Sequence, residues 1–580
     1  MLYFFLESYA NYIIFFFFLY STLILAYPLL RFALNSKNIV WLYVSILGCL
    51  IWHYCLEGYS IFFLNSLLFL DFSSLTLFNN IIDFNISFSL SPISFTFSFL
   101  VLIIGFCTNI YILNYFKGEA DEGGFIFWIN SFIISMLILI LSNNFFTLFL
   151  GWELIGFTSF FLINFWQSKR STLKSSFKAF SFNLLSDLFL LGALVIFYQL
   201  TNTTDISAFL YLISWGGLYN VDLLNFGILL LIGCASIKSV QLIGHLWLPD
   251  SMEAPVPASA LIHSATLVSA GIYLLARFNI LIILYNWTAY LIFLGSITAA
   301  YGGVVAASQT DMKKLLAYST MSHCGFLMIL VACSNFYILI TYLFLHGFYK
   351  AATFFCAGSF IRIYGSQDTR VMGSNNKIFI GDTILLIICA GNLAGLPLTI
   401  GVLYKNFFLT LIEMYNINIL VSGFIFVGLL TGILYFYRLV FYSVFDITKW
   451  TNLGVYEILE VIAVKFRVYN KVINKTHFLA TSILLFFSFS IFLVITWVTL
   501  CGDIEYEVGI FNNFIPNYLF KPLVIIYTTH LIYFYFIYLI LVLLLLFITW
   551  RYQITWGYKG ELILISFYTI LFGSTVYLYI

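Results

Sequence analysis

The sequence predicts an all-α polytopic membrane protein of about sixteen transmembrane helices, with two inverted repeats of about five helices each that contain broken helices. Three observations predict it. Of the 580 residues, 62% are hydrophobic and 8% charged, and the mean hydropathy is +1.03, far outside the soluble range. Runs almost free of charge, each long enough to cross about 30 Å of hydrocarbon, recur from one end of the chain to the other. Lysine and arginine then fall almost wholly on one side of the spans that these runs define.

Taken in order, the expected spans are 12–34, 39–62, 94–115, 124–142, 144–166, 175–200, 222–248, 258–280, 284–307, 312–334, 336–361, 382–412, 417–445, 477–500, 522–550 and 562–580. The first resembles a secretory signal in length, but the spans behind it make it an ordinary membrane helix. Arg31, Lys37, Lys117, Lys169, Arg170, Lys174, Lys178, Lys313, Lys314, Arg362, Arg370, Lys377, Arg438 and Lys449 share one side, and Arg277 takes the other. A missed helix would scramble that split, so it supports the span count and sets the N-terminus on the outer or intermembrane side. The longest non-spanning pieces, 63–93 and 446–476, are too short for an independent core.

Several function classes find no support. A net charge of +1 carries no signal for nucleic acid. The nine cysteines form no C-x-x-C and no His/Cys cluster of metal spacing, so no iron–sulfur, zinc or haem site is indicated. No glycine-rich loop opens a helix, so no nucleotide site is indicated either. Sixty-seven Phe and forty Tyr against eight Pro suggest an A+T-rich coding sequence such as an organelle's.

The chemistry lies in the few charges inside the spans. Glu153 is the only charge between Gly123 and Ser168, and Asp187 the only one between Ala179 and Thr204. Lys238 stands alone in "GCASIKSVQLIGH", Lys350 follows His346 by four residues in "LHGFYKAATF", and Lys405 is the only charge between Thr383 and Ile412. A charge at bilayer depth costs several kcal/mol and must be paired, hydrated or buried in protein. A static ion pair or a snorkelling lysine would explain one such residue. Two acids and three lysines with histidines between them fit a charge relay better. A lysine withdrawn from water holds its proton less firmly, a neighbouring carboxylate restores it, and histidine titrates near neutrality. His346 and Lys350 at i and i+4 share a helix face, and Lys238 and His245, seven apart, are expected to share another.

Proline breaks two lysine-bearing spans. Pro249, in "GHLWLPDSMEAPVPASALIH" (244–263), is expected to end the helix that carries Lys238 and His245. Gly395 and Pro397, in "AGLPLTIGVLYKNFF", are expected to break the one that carries Lys405. Broken helices at membrane depth are tolerated where they line a cavity. Two of them five spans apart suggest inverted repeats over 124–280 and 284–445, flanked by N-terminal helices (1–123) and C-terminal helices (446–580).

"GWELIGFTSFFLINFW" (151–166), "IKSVQLIGHLWLPDSMEAPVPASALIHSATLVSAGIYLL" (237–275), "DMKKLLAYSTMSHCGF" (311–326), "HGFYKA" (346–351) and "GLPLTIGVLYK" (395–405) resemble the antiporter-like subunits of respiratory complex I. Within them "DSMEAPVPASALIHSAT" resembles chain 5 of the mitochondrial NADH dehydrogenase. The resemblance covers roughly residues 90–445. It implies a proton-translocating subunit of the mitochondrial inner membrane, with NADH, FMN, iron–sulfur clusters and ubiquinone held by partner subunits. Expected partners are other membrane-arm subunits, the chain 4 subunit above all, and lipids. The alternative is a subunit of a multisubunit Na⁺/H⁺ antiporter.

Carried over residue by residue, the resemblance implies Glu153 as the acidic partner and Lys238 as the lysine of the first half-channel. His263 and His346 are implied as central links, Lys350 as the central lysine and Lys405 as the last lysine near the exit. Asp187 matches a further acidic position of the family. Leu184 stands where the family usually has arginine, and Asn406 where an acid is common. Asp250 and Glu253 are read as helix N-terminal carboxylates on the basic side, with a capping or interfacial carboxylate and a proton donor as the two alternatives for Glu253. The family ends in a long lateral helix and an anchoring span, and 522–550 is either a shortened form of that helix or a span of its own.

Overall fold

The computed structural model describes residues 16–445 apart from short stretches, the longest being 215–219, 373–379 and 410–417, together with 479–488 and Ser490. The expected spans 522–550 and 562–580, and the question of a lateral helix, lie outside the described residues.

The helices are α1 (Phe16–Leu25), α2 (Tyr27–Ala33), α3 (Ser36–Leu64), α4 (Pro92–Tyr115), α5 (Glu122–Leu141), α6 (Phe145–Ile163), α7 (Arg170–Thr201), α8 (Ile206–Ser214), α9 (Val221–Lys238), α10 (Val256–Ser264), α11 (Leu267–Arg277) and α12 (Asn279–Leu284). They continue with α13 (Thr288–Ser308), α14 (Met312–Ala332), α15 (Phe336–Tyr364), α16 (Ile380–Ala394), α17 (Ile419–Val440) and α18 (Leu479–Ser488). Among the described residues, eleven helical stretches are long and apolar enough to cross a membrane. The protein is a mostly helical polytopic membrane protein.

The helix starts follow local chemistry. Ser91 caps α4 by accepting from the Ser94 amide while the Ser94 hydroxyl accepts from the Ser91 amide, and Pro92 takes the first helical position. Asn144 caps α6 and Asn220 caps α9 in the same sense.

Two features depart from the sequence reading. A β-hairpin, β1 (Leu68–Leu77) paired antiparallel with β2 (Ile82–Leu90), occupies a stretch expected to hold only a connection in an all-helical chain. The strict alternation in "IDFNISFSL" is the period-two signal that produces it. The strand end is pinned to the α5–α6 junction by the Asn143 amide donating to the Ser87 carbonyl at 3.0 Å.

The second departure concerns the break after Lys238. Helix α9 ends at Lys238 itself, more than two turns before Pro249, so Lys238 and His245 do not share a helix face. The stop is a Schellman motif: the Gln241 amide donates to Ser236 O at 2.8 Å and the Val240 amide to Ile237 O at 3.3 Å. Val240 takes φ +59°, a left-handed conformation that costs a β-branched residue roughly 1–2 kcal/mol. Trp247 Nε1 then donates to Ile237 O at 3.1 Å, satisfying a terminal carbonyl. Pro249 instead precedes a 3₁₀ turn, Asp250–Glu253. The expected span 258–280 is likewise divided, into α10 and α11.

The chain forms two compact units. The first comprises Met1–Leu291, Leu330–Phe336 and Val455–Leu484. In it α7 packs along α9 and α6, and α11 packs against α9. The second comprises Ile292–Ile329, Tyr337–Gly454 and Leu485–Ile580. Small residues let its helices meet closely: a Cβ on Gly325 of α14 would fall 2.5 Å from the Thr298 hydroxyl of α13.

Candidate functional site

In the first unit Lys238, at the last position of α9, is fully buried. Its Nζ lies 3.8 Å from Asp187 Oδ1 on α7, donates to the backbone carbonyl of Trp152 at 2.6 Å, and sits 4.1 Å from the centroid of the Trp152 ring. Ser186 Oγ donates to Asp187 Oδ1 at 3.2 Å. Asp187 is thus the carboxylate brought to ion-pair distance of Lys238. Glu153, the acid expected in that role, lies on the exposed face of α6. Adjacent residues on one helix point about 100° apart, so burying Trp152 turns Glu153 outward.

His263 is fully buried at the end of α10. Its Nε2 is 3.2 Å from Ser251 Oγ, and its ring stacks on Trp247 with centroids 6.5 Å apart. Trp247 in turn bonds Ile237, next to Lys238, so histidine, tryptophan and helix end form one assembly. Asp250 and Glu253 do not cap a helix. Asp250 Oδ2 accepts from Lys178 Nζ at 2.5 Å and Glu253 Oε2 accepts from Ser171 Oγ at 3.2 Å, tying the 3₁₀ turn to the start of α7.

In the second unit a polar ladder joins the antiparallel helices α14 and α15. Lys350 Nζ donates to Ser319 Oγ at 2.5 Å. One turn along, the His346 and His323 rings approach with centroids 5.0 Å apart. Then His323 Nδ1 is 2.6 Å from the Tyr342 hydroxyl, and its Nε2 is 3.1 Å from the Tyr435 hydroxyl on α17. Ser319 and His323 are i and i+4 on α14, and Tyr342, His346 and Lys350 are spaced by four on α15, so each set shares a face. All five are buried. Neither ring nitrogen of His346 has a hydrogen-bond partner among the described residues.

Gly395, at φ +68°, ends α16 as the sequence suggested. Lys405 folds back so that its Nζ donates to the Ala394 carbonyl at 2.6 Å. Two glycines make the space: a Cβ on Gly395 would meet Lys405 Cδ, and one on Gly432 of α17 would collide with Lys405 Nζ. Among the described residues no carboxylate lies within ion-pair distance of Lys350 or Lys405.

The chain is 40% identical over 444 residues to an NADH-ubiquinone oxidoreductase chain 5 of Paramecium tetraurelia, a match covering 75% of this chain and 78% of the relative. The chain belongs to the NADH-ubiquinone oxidoreductase chain 5 family. Residues 142–431 also match the family described as "NADH:quinone oxidoreductase/Mrp antiporter, TM". The chain 5 of Wickerhamomyces canadensis is 35% identical over 376 residues, which span 63% of this chain and 58% of that relative.

Two solved structures share the fold at low identity. A chain of the Mrp complex from Dietzia aligns with TM-score 0.66 and 22% identity over 88% of this chain and 58% of that one. A chain of the membrane-bound sulfane sulfur reductase, an archaeal respiratory membrane complex, aligns with TM-score 0.66 and 15% identity over 81% and 97% respectively.

In this chain 5 family member, sequence reading did not pick out Trp152, Ser319, His323, Tyr342 or Tyr435. A signal for two of them was present: "SHCGF" puts a histidine four residues after Ser319 in an otherwise apolar helix. The Tyr435 contact joins residues 112 apart in sequence, so no local spacing could reveal it.

Proposed function

We propose that this chain moves protons across the mitochondrial inner membrane as the chain 5 subunit of H⁺-translocating NADH:ubiquinone oxidoreductase, through two linked half-channels. Glu153, Asp187, Lys238 and His263 serve the first. His346, Lys350 and Lys405 serve the second, with His323 as a further member. The repeats at 124–280 and 284–445 are inverted copies within about sixteen spans. Electron transfer takes place in other subunits, which hold FMN, iron–sulfur clusters, NADH and ubiquinone. This chain supplies the proton path and no cofactor of its own.

One observation carries this reading. Lys350 and Lys405 are buried and bonded to a hydroxyl and a carbonyl, neutral oxygens that stabilise an ammonium far less than a carboxylate would. A lysine kept for structural pairing would have a carboxylate partner. A lysine that must alternate between charged and neutral forms is better served by neutral ones, with water completing the shell. At Lys238 the Asp187 carboxylate, at 3.8 Å, is near enough to hold the charge and too far for a tight hydrogen bond. A small movement of α7 would release it.

The exposed position of Glu153, midway along α6, supports a partner subunit over this face, since a carboxylate facing lipid at that depth is costly. The chain 4 subunit is the partner we assign to it. Purifying the complex that contains this chain and identifying its subunits tests the assignment. Chain 4 together with the redox subunits is the expected result. A purified assembly without redox subunits, whose proton movement requires Na⁺, would favour the antiporter alternative.

A further inference from the structure

We infer that Trp152 is a positioning residue for proton transfer, a neutral cradle that keeps the Lys238 ammonium in place while Asp187 moves away. The inference rests on Lys238 being the relay lysine of the first half-channel.

The geometry points to it. Trp152 touches the ammonium twice: its carbonyl is the nearest acceptor, at 2.6 Å, and its ring centroid lies at 4.1 Å. The Asp187 carboxylate, at 3.8 Å, is farther from the ammonium than that carbonyl and beyond hydrogen-bond distance. The indole face attracts a cation through its quadrupole, most strongly when both are out of water. Trp152 and Lys238 are both fully buried. The titratable side chains whose charge reaches Lys238 are Asp187 from α7, Cys234 from α9 itself and, from the outward face of α6, Glu153. Helix α11 meets this helix end through Gly271, whose Cβ would clash with the Ala235 carbonyl at 2.5 Å.

Trp152 therefore offers the charged lysine two contacts that do not depend on Asp187. When α7 carries the carboxylate off, the ammonium does not have to follow it. The proton then leaves Nζ for water or for the next acceptor, and the neutral amine stays beside the carbonyl.

The test is the pH profile of NADH-driven proton translocation by the assembled complex. Trp152→Leu removes the aromatic face, and Trp152→Phe keeps a weaker one. The charged form loses support in both, so the alkaline limb should move to lower pH, by about one unit (tenfold in proton concentration) for Leu and by less for Phe. The KM for NADH should not change. A purely structural tryptophan predicts less assembled complex with an unmoved limb. An assembled Leu variant whose limb coincides with that of the unsubstituted complex overturns the inference. If only the Phe variant assembles, an unmoved limb there does the same. Lys238→Met in the same assay separates the two levels: full pumping by it overturns the lysine reading and this inference together. Lost pumping by it beside an unmoved Trp152→Leu limb overturns this inference alone.

Discussion

Replacing Gly432 by alanine should stop proton translocation without altering any ionisable group. Gly432 lies in the interior of α17, where alanine is the better helix former by about 1 kcal/mol, so the backbone alone would welcome the change. The added methyl, however, would occupy the place of Lys405 Nζ. Clearing the clash means moving the ammonium off the Ala394 carbonyl, to which it now donates at 2.6 Å. A hydrogen bond from a charged group is worth about 1.5–3 kcal/mol, so occupancy of the native position should fall roughly ten- to hundredfold. The assay is NADH-driven proton uptake by sealed vesicles, with NADH oxidation measured in the presence and absence of an uncoupler. Gly423→Ala is the control on the same helix, because a Cβ there meets nothing within 4 Å. Equal pumping by assembled Gly432→Ala and Gly423→Ala complexes would refute the reasoning.

Other substitutions follow from the same geometry. Asp187→Asn removes the carboxylate at ion-pair distance of Lys238 and leaves a buried cation without its charge partner, a loss of about 3 kcal/mol or more; less assembled complex and lost pumping are expected, and normal yield with normal pumping would contradict the pairing. Tyr435→Phe deletes one oxygen, the one 3.1 Å from His323 Nε2, and should slow pumping several-fold while leaving the amount of complex on a native gel unchanged. Outside the spans, the Arg370 guanidinium hydrogen-bonded to Asp368 holds that carboxyl below its ordinary value. A lowered folded-state value gives stability that is present above about pH 4 and lost as pH falls through it. Amide exchange at Met312 and Thr369, which bond Gln367 O and Thr310 O across this segment, should therefore quicken below about pH 4 and stay slow above it.

The membrane class, most helices and the rare buried charges were legible because each is a local property: a long apolar run, or one charge inside it. Lys350 with His346 was legible as a pair because i and i+4 fixes a common face. Partners across helices were not. Sequence alone favoured Glu153 as the acidic partner and kept Asp187 as a further acidic position, and the rotation of α6 that buries Trp152 turns Glu153 outward and leaves Asp187 beside Lys238. Pro249 was the strongest helix breaker in view, yet the helix ends earlier at a Schellman turn with Val240 in the left-handed position, a place where glycine would have announced the stop. The hairpin was legible in the alternation of "IDFNISFSL" but lay among spans that made helix the default. His323 sat inside a motif already recognised, and its meaning depends on two tyrosines that reach it from α15 and α17.

The central claim is that buried lysines of this chain change charge during turnover, and Lys405→Arg tests it most directly. Guanidinium stays protonated at any accessible pH, so it keeps the charge and forbids the change. Proton translocation should be measured in complex shown to be fully assembled, alongside Lys405→Ala. The account predicts that the arginine variant assembles and pumps as poorly as the alanine variant, with NADH oxidation slowed in both because it is coupled to pumping. A fully assembled Lys405→Arg complex that pumps at the normal rate would contradict it.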